Sequence, residues 1–135
     1  MKRPTARKLA LSTLILLSTG LMACTSARKA LEPTWFPANV VRISKEYANI
    51  NTDLTAPQLA EHGIAHGTTF DVKFGDRQMK ALLGKKYSDV DKGKWIALIE
   101  EDGKLQLAIS FGHAATDISC KEGDTLYIQS LTQKK

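Results

Sequence analysis

Cysteine is nearly absent from this 135-residue chain: only Cys24 and Cys120 occur. Two cysteines cannot staple a chain of this length, so the fold rests on a packed core. Long apolar runs are just as scarce. Beyond the first two dozen residues, no segment has the roughly 20 consecutive apolar residues that a membrane-spanning helix needs. One-signed charge is missing too. The formal net charge is +5, with 19 basic and 14 acidic residues. Four of the basic residues (Lys2, Arg3, Arg7 and Lys8) lie in positions 1–23, which hold no acidic residue. The remaining fifteen face all fourteen acidic residues, a balance of +1, and are scattered among them. That distribution excludes a basic patch for nucleic acid. There is no internal repeat, no low-complexity stretch, no Gly-x-Ser-x-Gly nucleophile setting and no glycine loop that could cradle phosphate.

What is present begins at the N-terminus. The basic cluster precedes an apolar segment, Leu9 to Leu17, which is too short to span a bilayer as a mature helix. Leu21-Met22-Ala23-Cys24 closes it. A small residue followed by cysteine at this place resembles the lipobox of bacterial lipoproteins. The resemblance implies cleavage before Cys24, a diacylglycerol thioether on its sulfur and acylation (palmitate) of the new amino group. Each buried methylene contributes about 0.8 kcal/mol, so more than one chain anchors stably. Thr25 stands where an Asp would signal inner-membrane retention in Gram-negative lipoproteins. The expected location is therefore the cell envelope, at the periplasmic face of the outer membrane. Residues 1–23 read as the signal peptide and 24–37 as a lipidated tether. The mature chain, 135 less 23 or 112 residues, is enough for one domain with a real core, placed at 38–135.

That domain reads as all-β. Asn39–Ser44 is rich in β-branched residues, and Trp35-Phe36-Pro37 just before it reads as a lid over the first strand. Thr69–Phe74 alternates, with Phe70, Val72 and Phe74 on one face. Gly75-Asp76 then turns the chain into Arg77–Leu83. Trp95–Glu100 and Leu105–Phe111 flank Asp102-Gly103, a strong hairpin signal. Leu126–Leu131 closes the chain. A helix is expected from Thr55 to Glu61, with Thr55 as cap, an early Pro57 and a stop at Gly63. A second is expected over His113–Ile118. Six or seven short strands with one or two short helices point to a small antiparallel β-barrel.

Several residues invite chemistry and resist it. His62 and His66 share one face if a helix continues through them, but Gly63 and Gly67 break it and no third ligand is evident. The pair reads as polar loop, and neither metal nor other cofactor is expected. Cys120 reads as a small half-buried filler, and His113 as a turn or helix-start residue. Glu100-Glu101-Asp102 lies at a hairpin tip and reads as a solvated turn.

From Tyr87 to Ile128 the chain carries an ordered set of marks: Tyr87, Asp89-Val90, Gly93, the apolar strand Trp95–Ile99, Gly103, Leu105–Ile109, Gly112-His113-Ala114-Ala115 and Gly123-Asp124. In order and spacing these resemble the C-terminal domain of the S-adenosylmethionine hydrolase (hydroxide adenosyltransferase) and fluorinase family. Upstream, Tyr47-Ala48-Asn49 falls on the family's F-G-N, and Thr52-Asp53 on its T-N. The resemblance covers about residues 38–130 and implies a small antiparallel barrel. It also implies an adenine side of a pocket, with Tyr47 or Tyr87 as stacking aromatic and Asn49 bonding a base edge.

Family enzymes carry a larger N-terminal domain that supplies a catalytic Asp, and their active site lies between that domain and the C-terminal domain of a neighbouring subunit. Here the signal and tether occupy the preceding region, and no residue takes the role of that Asp. Ser44 replaces the Asp that would hold the methionine ammonium. Glu101-Asp102 replaces a polar pair that contacts the methionine carboxylate in some members, and two carboxylates repel such a group. The reading is a membrane-anchored, non-catalytic binding or interaction module, with no catalytic residue assigned. An envelope protein or a second copy of the chain would be its partner. The alternatives are an adenosine-binding subunit, and an in-trans component of an adenosyl hydrolase.

Overall fold

A computed structural model describes residue 20 and residues 32–132 of the chain. The signal segment and Cys24 lie outside the described residues. The chain divides into two units, Met1–Ala30 and Leu31–Lys135, and the strands all belong to the second. No helix of the described residues is long and apolar enough to cross a membrane.

Seven strands close into a barrel: β1 (Trp35–Ile43), β2 (Ile50–Thr55), β3 (Thr69–Phe74), β4 (Arg77–Leu83), β5 (Trp95–Ile99), β6 (Lys104–Ile109) and β7 (Thr125–Gln129). Around the barrel their order is β1-β2-β6-β5-β4-β3-β7, with β7 returning to β1. Every pairing is antiparallel except one. β4 and β5 run parallel, with Ala81 opposite Trp95 and Leu83 opposite Ala97. The antiparallel expectation is corrected at that seam. Parallel neighbours need a long crossover, and residues 84–94 supply it, including a single 3-10 turn at Tyr87–Asp89.

Alternation builds the interior. Phe36, Ala38 and Val40 of β1, Phe70 and Val72 of β3, Leu105 and Leu107 of β6, and Leu126 and Ile128 of β7 face one core. The β5 strand is buried on both faces, because Ile96 and Leu98 point outward into a second cluster with Ala108, packed by Leu82 and Val90. The crossover thus explains why Trp95–Ile99 is an unbroken apolar run.

Helix α1 (Ala56–Glu61) starts at a capping box: the Thr55 side chain accepts from the Gln58 backbone N–H, and Gln58 Oε1 accepts from Thr55 N at 2.9 Å. Helix α2 (Ala114–Ile118) lays Ala114, Ala115 and Ile118 on the core. His113 is its N-cap by position, though its side chain makes no capping bond.

Two readings of the chain are revised. Trp35-Phe36-Pro37 is no lid but the first third of β1, pairing with Gln129, Ile128 and Tyr127. A proline is tolerated there because β2 joins β1 only from Val40 onward, so at Pro37 the missing N–H has no second strand to serve. The other addition is β2, where the expected strands had a gap. A bulge in β1 between Val40 and Arg42 sets Arg42 opposite Asn51.

Candidate functional site

Three loops meet at one mouth of the barrel. The β1–β2 turn is tied by its own backbone, with Ser44 N donating to Asn49 O and Ala48 N to Ser44 O, both at 3.0 Å. Ser44 Oγ accepts from Asn49 N at 3.0 Å. Ala48 closes the turn at φ 51°, a left-handed conformation that costs an L-residue energy and that glycine adopts freely. Its position is the central one of Tyr47-Ala48-Asn49. The reversal throws Tyr47 out to 56% exposure and turns Asn49 in, at 4%.

The crossover brings Tyr87. Asp89 caps its own 3-10 turn, Oδ2 accepting from Lys85 N at 2.7 Å and Lys86 N at 3.2 Å. The Lys85 N–H chiefly holds that carboxyl below its usual range. Tyr87 reaches over the mouth, where its hydroxyl accepts from Asn49 Nδ2 at 3.0 Å and donates to Gln106 Oε1 at 2.9 Å. Partial burial, followed by the charge of Glu100, pushes this phenol up, against the Asn49 bond, which lowers it. Hydrogen bonding to Glu46, and then the charge of Glu46, push Tyr47 up as well. Both phenols therefore stay protonated at neutral pH.

The third loop follows β6. Phe111 is 80% exposed and sits at φ 57°. A bulky residue in that region carries backbone strain. Lys92 Nζ lies 4.6 Å from its ring centroid. Gly112 is required next to it: a Cβ there would come within 2.6 Å of Ile109 Cγ2.

Together these loops frame a cleft of about 500 Å³, within the ordinary range for a small-molecule site. Tyr47, Tyr87 and Phe111 form its aromatic wall, Ile109 and Gly112 its apolar back, Asn49 its polar floor, and Glu46 and His113 its rim. The three residues singled out from sequence (Tyr47, Asn49 and Tyr87) thus converge on one cavity. Sequence reading missed Phe111 and Gln106. Gln106 did leave a signal, a lone polar side chain inside the apolar strand Leu105–Ile109, and it is buried at 6%.

The remaining candidates fall elsewhere. Ser44 is spent on its turn. Asp102 Oδ1 accepts from Lys104 N at 3.0 Å within the β5–β6 turn, and neither it nor Glu101 lines the cleft. His62 stacks flat on Phe36, centroids 3.7 Å apart, with Nδ1 3.0 Å from Ser130 Oγ; His66 is exposed. Among the described residues no group of three or more His, Cys, Asp or Glu could hold a metal ion. Cys120 is buried, and its thiol is pushed up to about 11, first by burial and then by the charge of Asp124. It is packing material rather than a nucleophile.

A family model described as the SAM hydroxide adenosyltransferase C-terminal domain matches residues 38–127. Among solved structures, an uncharacterized conserved protein from Thermotoga maritima has a TM-score of 0.65 and 24% identity, covering 71% of this chain and 38% of that one. A conserved hypothetical protein from Thermus thermophilus has a TM-score of 0.50 and 21% identity, covering 68% and 34%. The chain thus spans little more than a third of either protein, and the likeness concerns the fold. No curated protein matches.

Proposed function

The chain belongs to the family of the SAM hydroxide adenosyltransferase C-terminal domain, and from that premise we propose that it is a non-catalytic binding module whose cleft takes the base of a purine nucleoside. One observation carries the reading: three aromatic side chains surround a single buried amide at the mouth of the barrel. Flat apolar walls with one placed polar group suit a planar heteroaromatic ring. The floor of the cleft is the Asn49 amide, which holds a ligand and moves no proton.

Calorimetric titration of the 135-residue chain with adenosine and with S-adenosylmethionine tests this, with chromatography of the products. Heat with adenosine and no released product is the expected result. Release of adenosine or methionine would overturn the non-catalytic role, and absence of heat would overturn nucleoside binding.

A second reading rests on the exposure of Tyr47 and Phe111. Aromatics left open at a cleft rim can be covered by another protein, so the module could complete an adenosyl hydrolase site in trans. Turnover appearing only on addition of a separate catalytic domain would favour it.

The lipobox-like Leu21–Cys24 supports anchoring at the envelope, on the periplasmic face of the outer membrane. Cys24→Ser is expected to abolish palmitate incorporation and to shift the chain out of the lipid-modified membrane fraction. Unchanged labelling in that variant would exclude Cys24 as the anchor.

A further inference from the structure

Four groups run in line beneath the cleft, and the first has no choice of role. The Arg42 carbonyl oxygen can only accept, and Asn51 Nδ2 donates to it at 3.4 Å. Asn51 must therefore present Oδ1 to Gln106, whose Nε2 donates to it at 3.1 Å. Gln106 in turn must present Oε1 to the mouth, where it accepts from Tyr87 Oη at 2.9 Å and from Asn49 Nδ2 at 3.3 Å. The amide of Asn49 is then fixed as well. Its nitrogen is committed inward to Gln106 and to Tyr87, and its Oδ1 has no hydrogen-bond partner among the described residues. Asn49, Asn51 and Gln106 are each less than a tenth exposed. Reversing any one of them would set two acceptors or two amino groups against each other.

We propose that this relay makes Asn49 Oδ1 an obligate acceptor in the cleft, so that the site selects rings bearing an amino group over rings bearing a carbonyl. Gln106 and Asn51 are positioning residues: neither lines the cleft, and both act through Asn49. The inference rests on the nucleoside-binding reading and adds the feature of the base that is recognised. An exocyclic amine donates to Oδ1. A carbonyl at the same place meets another acceptor, and an unsubstituted carbon makes no bond.

Gln106 matters because Tyr87 is ambivalent. Its hydroxyl now donates to Gln106 and accepts from Asn49. Without Gln106 it can donate to Asn49 Oδ1 instead, which frees the amide to rotate and offer Nδ2 to a carbonyl.

The test compares adenosine, inosine and purine riboside on the 135-residue chain, which needs no variant. Adenosine is expected to bind about tenfold more tightly than either of the others. In Gln106→Leu the adenosine-to-inosine ratio should fall to within about threefold. Equal binding of the three nucleosides would overturn the relay and leave nucleoside binding standing. Failure of all three to bind would overturn both. A ratio that survives in a folded Gln106→Leu would remove Gln106 from the role. If that variant does not fold, the comparison on the unsubstituted chain still decides.

Discussion

Phe70→Ala is expected to cost the barrel about 3–5 kcal/mol of stability. Phe70 heads the fully buried side chains by volume and is 1% exposed. The cost of such a truncation depends on how far the walls can move into the space left behind. Here β3 is fixed on both sides, by a six-rung ladder with β4 and by pairing to β7. Directly across from Phe70 is Ala81, too small to fill the space. Met79, two residues from Ala81 on the same strand and part of the same core, is an adaptable side chain that limits the loss rather than cancelling it. Domains of this size have roughly 5–15 kcal/mol in hand, so the variant should fold but only marginally. Thermal unfolding followed by circular dichroism should show the midpoint falling by about 12 °C or more, at about 4 °C per kcal/mol. A fall of only a few degrees would mean that the closed wall yields more than its pairing implies.

The second expectation separates stability from binding. Phe111→Gly removes a phenyl ring that is 80% exposed, so almost no burial is lost. It also relieves the left-handed backbone at φ 57°, worth about 1–2 kcal/mol. Against that stand the contact with Lys92, about 0.5–1 kcal/mol at an exposed site, and the greater backbone freedom of an unfolded glycine, about 0.5–1 kcal/mol. These nearly cancel, and the melting midpoint should stay within a few degrees. Adenosine affinity should not stay. Stacking one base on one aromatic is worth about 1–3 kcal/mol, so the dissociation constant should rise about five- to a hundredfold. Calorimetry beside thermal unfolding reads both. Parallel loss of stability and affinity would make Phe111 a structural residue, and unchanged affinity would remove it from the site.

The elements legible in the sequence were those whose turn chemistry and alternation agree. Gly75-Asp76 between two alternating runs bounded β3 and β4 at the residues where they end. Asp102-Gly103 did the same for β5 and β6 to within a residue or two. Strand β2 escaped notice because its inward positions include polar residues. Thr52 is 1% exposed with its hydroxyl donating to Leu105 O at 2.9 Å, and Asn51 is spoken for by Arg42 and Gln106. A buried polar residue satisfied by a partner about 50 positions away looks, in sequence, like a loop residue. The parallel β4–β5 seam is a non-local choice that no short stretch encodes. Tyr47, Asn49 and Tyr87 were legible through family likeness. Phe111 was not, because its exposure comes from a backbone reversal after β6 rather than from any pattern of residue types.

The position of β7 between β1 and β3 has a consequence for the order of events in the life of the chain. The first strand finds one of its two neighbours only at Thr125–Gln129, so a growing chain holds two raw edges until β7 is made. Along those edges the backbone N–H and C=O groups of β1 and β3 wait unpaired, open to any passing strand. Closure of the barrel therefore waits for β7, and the interval before it is when the chain is most exposed to mispairing.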